Sequence, residues 1–138
     1  MIKFRKSAGI IIKHKDEVLL CKRSPKETMP NIWSIPGGGI ENGETPVQAA
    51  IREVYEETNI ELEPNLEFVG FLDKFNEDGT KRGTMFVFVQ ETKELKTPNL
   101  DQASHGHEHT KCKYFKLDDL PKQKGNEQLL DILKKVLK

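Results

Sequence analysis

Residues 37–60 constrain this chain more than any other stretch, because they hold a glycine-rich approach and a helix with both ends specified. Thr45 suits an N-cap, Pro46 suits the first helical position, and Gln48 completes a Thr-x-x-Gln capping box. Asn59 follows the last periodic residue and tolerates the left-handed conformation of a helix C-cap. The spacing therefore predicts a helix over 46–58. At about 100° per residue, Glu57 and Glu56 fall roughly 40° and −60° from Glu53, so the three share a face. Ala49 and Ala50 flank that arc and are expected to leave it open. Val47, Ile51 and Val54 occupy the other side and are expected to face a core.

That helix lies in a strongly acidic segment. Between 41 and 63 stand seven glutamates (Glu41, Glu44, Glu53, Glu56, Glu57, Glu61 and Glu63) and one base, Arg52, in a chain whose 22 acidic and 22 basic residues otherwise balance. Like charges three and four apart on a helix repel by about 0.2–0.5 kcal/mol per pair. Two readings account for the run. One is a solvated face relieved by an Arg52–Glu56 pair at i,i+4; the other is a face that binds a cation. Gly37, Gly38, Gly39 and Gly43, just ahead of the helix, favour the second, since they mark a backbone that turns sharply or approaches something closely. Carboxylates on a rigid helix beside free loop carbonyls are hard oxygen ligands, suited to Mg²⁺ or Mn²⁺.

Gly38, five residues, Glu44, seven residues, then Arg52-Glu53-Val54-Tyr55-Glu56-Glu57-Thr58-Asn59-Ile60 resembles the signature of the Nudix hydrolase family. That signature is Gly-x5-Glu-x7-Arg-Glu-U-x-Glu-Glu-x-Gly-U, with U aliphatic. The one departure is Asn59 in place of the last glycine, and a residue that tolerates the same backbone leaves the chemistry intact. Outside the box, Leu19-Leu20-Cys21-Lys22-Arg23, Trp33-Ser34-Ile35-Pro36-Gly37-Gly38 and Tyr114-Phe115-Lys116-Leu117-Asp118-Asp119-Leu120-Pro121 are similar to stretches common in the family.

The resemblance implies an α/β/α sandwich, with the box as a loop-helix-loop at the edge of a mixed sheet and a second helix near the C-terminus. It implies hydrolysis of a diphosphate bond with Mg²⁺ or Mn²⁺ as cofactor. Metal binding is expected first of Glu53 and Glu57, then of Glu56, with a carbonyl of Gly37 or Gly38 as neutral ligand. Glu56 has a rival role as a partner of Arg52 alone. Arg52 joins the catalytic set by orienting Glu53, in a structural pair with Glu44. The general base is expected at Glu108 in a later loop, with Glu53 or Glu56 as the alternative. Arg23 is expected to hold a phosphate of the substrate, with Gly38 and Gly39 lining its path.

The remainder of the sequence is consistent with one domain spanning 1–138. Zero net charge offers no broad basic field for nucleic acid, and no apolar run near 18 residues suggests a membrane span. A cytoplasmic protein, monomeric or homodimeric, is expected, with Cys21 and Cys112 as reduced thiols. Strands are predicted over 3–13, 17–22, 66–74, 84–91 and 111–117, with Asp78-Gly79 as a hairpin turn and 92–110 as a long loop. Leu129, Leu130, Ile132, Leu133, Val136 and Leu137 form an amphipathic stripe that packs either on the sheet or on a partner. Trp33 stands either in the core or against a base.

His105-Gly106-His107-Glu108-His109 with Cys112 offers a zinc alternative, although the spacing fits no ordinary structural site. Residues 73–79 lack the alternation of a calcium loop. Position 75–78 carries neither the proline common in ADP-ribose hydrolases nor the tyrosine common in dinucleoside polyphosphate hydrolases. With both markers absent, the short chain and its Trp-x-x-Pro-Gly-Gly-Gly entry resemble the MutT-type enzymes, which implies cleavage of a (deoxy)nucleoside triphosphate to the monophosphate and pyrophosphate. The alternatives are ADP-ribose or a nucleotide sugar, a dinucleoside polyphosphate, or a non-catalytic nucleotide-sensing module. Retention of Glu53, Glu56 and Glu57 weighs against the module.

Overall fold

A computed structural model describes residues 5–138 except Thr28 and Glu77. Its strands are β1 (Arg5–His14), β2 (Glu17–Arg23), β3 (Trp33–Ser34), β4 (Gly37–Gly39), β5 (Glu67–Phe75), β6 (Lys81–Glu91) and β7 (His109–Lys116), and its helices are α1 (Pro46–Thr58) and α2 (Glu127–Val136). The five predicted strands are all present. The part of the first that covers residues 3 and 4 lies outside the described residues.

β1 organises the mixed sheet. It runs parallel to β6 from Arg5↔Gly83 to Lys13↔Glu91. On its other edge it meets β4 in its first half and the start of β2 at its end. β5 and β6 form the hairpin expected around Asp78-Gly79, with Gly79 at φ 87°. β7 pairs along the whole of β2.

The period of two along β1 divides the interior. Ala8, Ile10 and Ile12 face α1 together with Ala49, Ala50 and Val54, whereas Ile11 faces α2 together with Leu72, Val87, Leu129 and Leu133. Helices on both faces of the sheet make the α/β/α sandwich. The stripe on α2 thus packs on its own sheet. Trp33 belongs to the same core, edge-on to Phe115 at 5.1 Å, with its backbone held by Gln123 and Asn126. Among the described residues no helix is long and apolar enough to cross a membrane.

Three expectations are corrected. Ala49 and Ala50 are fully buried. Their small side chains let α1 lie close on β1, so they do not flank an open ligand face. Cys21 and Cys112 are opposite each other in the β2–β7 register and are joined as a disulfide. The chain distance between them, 91 residues, concealed that proximity. The predicted loop 92–110 ends early, in a turn of 3-10 helix over Gly106–Glu108, and His109 already belongs to β7. This loop is docked on the end of α1, where the Asn99 amide donates to the Thr58 carbonyl (2.8 Å) and the His105 amide to the Glu56 carbonyl (2.7 Å).

Candidate active site

The caps fix α1 where the sequence places them. The Gln48 amide donates to Thr45 Oγ1 and the Thr45 amide to Gln48 Oε1, and Asn59 closes the helix at φ 65°, with its amide donating to the Tyr55 carbonyl. Of the four glycines before the helix, Gly37 and Gly38 are close approaches, Gly43 serves a turn at φ 87°, and Gly39 has open space around it. A side chain at Gly37 would meet the backbone of Ala8 and Gly9, and one at Gly38 would meet the Glu53 carboxylate. Strand β4 therefore brings its backbone directly against Glu53.

Arg52 gathers the acidic residues. Its guanidinium donates to both oxygens of Glu44 (2.7 and 2.9 Å), to Glu53 Oε1 (3.0 Å), to both oxygens of Glu56 (3.1 Å each) and to the Gly39 carbonyl (2.9 Å). The fork to Glu44 draws that carboxyl down to about 2, and the same contacts raise the proton affinity of Arg52. The pairing of Arg52 with Glu44 and Glu53 follows expectation. Glu56 faces Arg52 as well, with His105 Nδ1 3.7 Å away.

Glu57 is different. It is 2% exposed, and its Oε1 lies 2.6 Å from His109 Nε2, which is also buried. Burial, then the neighbouring Glu108 and Glu53, push the Glu57 carboxyl far above its ordinary range, while burial and Arg23 push His109 down. Both shifts favour the uncharged form of each partner. Glu57 Oε2 has no hydrogen-bond partner although it is buried. An orphaned carboxylate oxygen beside Glu53 fits a hard divalent cation, whose charge would replace the proton.

A cleft of about 420 Å³ opens beside this group. Glu53, Glu108, Arg23 and Gly37–Gly39, expected at the site, all line it. Burial, then Glu27 and Glu53, raise the Glu108 carboxyl. Glu44 and Asn59 stand behind as supports.

The zinc alternative is corrected, because its residues point apart. His109 binds Glu57, His105 lies toward Glu56 and Glu108, and Cys112 is bonded to Cys21. Glu27, His107 and Glu108 do bring ligand atoms within 4.8 Å of one another. Arg5, Lys74 and Arg82 also line the cleft, and sequence reasoning missed them along with the role of His109. No local motif marks these residues, since the register of β1, β5 and β6 is what unites the three cations.

The NUDIX domain model matches residues 3–136. The chain is 34% identical over 119 residues to the mouse diphosphoinositol polyphosphate phosphohydrolase 3-alpha, which covers 84% of this chain and 66% of that protein. It thus spans slightly less than two thirds of that relative's length. It is also 39% identical over 56 residues to the 8-oxo-dGTP diphosphatase of Proteus vulgaris, over 41% of this chain and 50% of that one. The MutT NUDIX hydrolase of Burkholderia pseudomallei shares the fold at a TM-score of 0.77, with 22% identity over 96% of this chain and 98% of that chain. With its complete glutamate set on a capped helix and a family match over nearly its whole length, the chain belongs to the Nudix family.

Proposed function

We propose that this chain is a Mg²⁺- or Mn²⁺-dependent pyrophosphohydrolase acting on a (deoxy)nucleoside triphosphate and releasing the monophosphate and pyrophosphate. The observation that carries this reading is the buried, unpartnered Oε2 of Glu57 behind Glu53, which itself lines a cleft that also holds cationic side chains. Glu53 and Glu57 would hold the cation with Glu56 at its outer side, and a carbonyl of Gly37 or Gly38 would supply a neutral ligand. When bound, the cation offsets the negative charge that shields a diphosphate from attack.

The protein's own groups do the remainder. Arg52 clamps Glu53 and Glu56 in place, which spares the site a costly rearrangement during reaction. His109 fixes the orientation of Glu57. Glu108 faces the cleft with a raised proton affinity, as suits a general base that takes a proton from the attacking water. The water oxygen bonds to a phosphorus, the bond from that phosphorus to the bridging oxygen breaks, and the leaving phosphate departs with the electron pair. Arg23 steadies the phosphates. The same proposal has the protein act in the cytoplasm, as a monomer or homodimer, through one domain.

The test is a panel of nucleoside triphosphates, ADP-ribose, a nucleotide sugar and a dinucleoside polyphosphate with Mg²⁺, products being separated by ion exchange. Monophosphate and pyrophosphate in equal amounts from a triphosphate, abolished by EDTA, supports the proposal. Release of orthophosphate from a triphosphate, or a folded protein inert toward the whole panel, refutes it.

A further inference from the structure

We propose that Arg5, Arg23, Lys74 and Arg82 form an anion subsite at the hairpin end of the cleft, which selects polyphosphorylated substrates by phosphate number and not by base. This inference rests on the pyrophosphohydrolase reading of the same cleft and names the substrate class within it.

Strand register builds the subsite. Gly83 on β6 is opposite Lys74 of β5 on one side and Arg5 of β1 on the other. A side chain at Gly83 would run into the Arg5 backbone. A glycine there lets the three strand ends close up, so that Arg5, Lys74 and the adjacent Arg82 all reach the cleft, which Arg23 joins from the end of β2. The proximity has an independent sign: burial, then Arg23 and Arg82, lower the Lys74 ammonium to about 8. The nearest acid along β5, Asp73, is taken by Lys81 at 2.9 Å.

Charge and shape agree. Among the described lining residues four cations stand against two carboxylates, Glu53 and Glu108, a formal surplus of two in a chain of zero net charge. A partly buried ammonium with two guanidinium groups close by favours an anion at the same place. No Phe, Tyr or Trp lines the cleft among those residues. Trp33 stacks on Phe115, and Phe68, Phe71, Phe86 and Phe88 contact one another. A cleft rich in guanidinium grips phosphates, and no ring among its described lining residues offers a base a stacking surface; Phe75, exposed beside Lys74 on β5, lies outside that lining. Both a nucleoside polyphosphate and a polyphosphorylated cyclitol bearing a diphosphate present this chemistry.

The experiment compares kcat/KM of the wild type and the Lys74→Gln/Arg82→Gln double variant on ADP-ribose, on four nucleoside triphosphates, on adenosine tetraphosphate and on a cyclitol polyphosphate diphosphate. In the wild type, kcat/KM is expected to rise from ADP-ribose to triphosphate to tetraphosphate, with the four bases within about threefold of one another, whichever of the two polyphosphate sources proves better. The double variant is expected to lose about tenfold or more on triphosphate and tetraphosphate relative to its loss on ADP-ribose, mostly through KM. An equal loss on all substrates, a preference for ADP-ribose, or strong selection for one base overturns the inference while leaving the hydrolase reading intact. Should nothing turn over, that reading fails, and calorimetry with inorganic tripolyphosphate decides the subsite. Binding about tenfold tighter than orthophosphate and weakened in the double variant supports it, whereas equal binding of the two anions refutes it.

Discussion

Replacing Glu57 by glutamine separates the two states of this carboxyl. In the metal-free protein burial favours a neutral Glu57 acid beside a neutral His109, and a glutamine amide has the same size and also carries no charge. Below the ordinary carboxyl value of 4.5, folded and unfolded chains both hold the proton. Above it the unfolded chain releases the proton while the folded protein retains it, so stability falls as pH rises. His109 works in the opposite sense: its lowered affinity costs stability as pH drops below 6.5. Lys74 begins to offset the loss only from about 8 upward. Between 6.5 and 8, then, Glu57 dominates, and one proton of difference is worth about 1.4 kcal/mol per pH unit, or roughly 2 kcal/mol over that interval. Burial, then Glu27 and Glu53, raise Glu108 as well, so any slope it adds has the same sign as that of Glu57. Urea unfolding at several pH values in EDTA should show the wild type losing about 2 kcal/mol more than Glu57→Gln across this window. Added Mg²⁺ should stabilise the wild type increasingly as pH rises and leave the variant nearly unmoved. Parallel pH profiles for the two proteins in EDTA would refute the neutral pair.

Three further outcomes follow from the same geometry. Gly38→Ala sets a methyl group against the Glu53 carboxylate and should cut kcat/KM by about 10- to 100-fold, with the unfolding midpoint little changed, as steady-state rates and thermal melts would reveal. His109→Ala leaves Glu57 Oε1 unsupported and should weaken Mn²⁺ binding by about 10- to 100-fold in a calorimetric titration. Asn59→Gly should keep full activity and stability, because the position is already left-handed, whereas Asn59→Ala should lose about 1 kcal/mol in denaturant unfolding.

Local chemistry made much of this legible. The caps of α1 depend on side chains within four residues of one another, so Thr45, Gln48 and Asn59 could be read directly. Arg52 lies one and four residues before Glu53 and Glu56, and helical spacing alone brings them together. What escaped depends on register between distant strands. Helical angles place Glu57 on the charged face of α1 but do not reveal that this face turns into the sheet, where Glu57 meets His109 at the start of β7. For the same reason Ala49 and Ala50 read as open when they form the seat of the helix on β1. Cys21 and Cys112, like Lys74, Arg82 and Arg5, are brought together only by strand pairing, and no spacing in the sequence announces it.

The most direct test of the account is the initial rate of nucleoside triphosphate hydrolysis against Mg²⁺ concentration, for the wild type and for Glu53→Gln. The account predicts no turnover in EDTA, a saturable rise with Mg²⁺, and a loss of about 100-fold or more in a variant that remains folded. Turnover that persists in EDTA, or a Glu53→Gln protein as fast as the wild type, would contradict it.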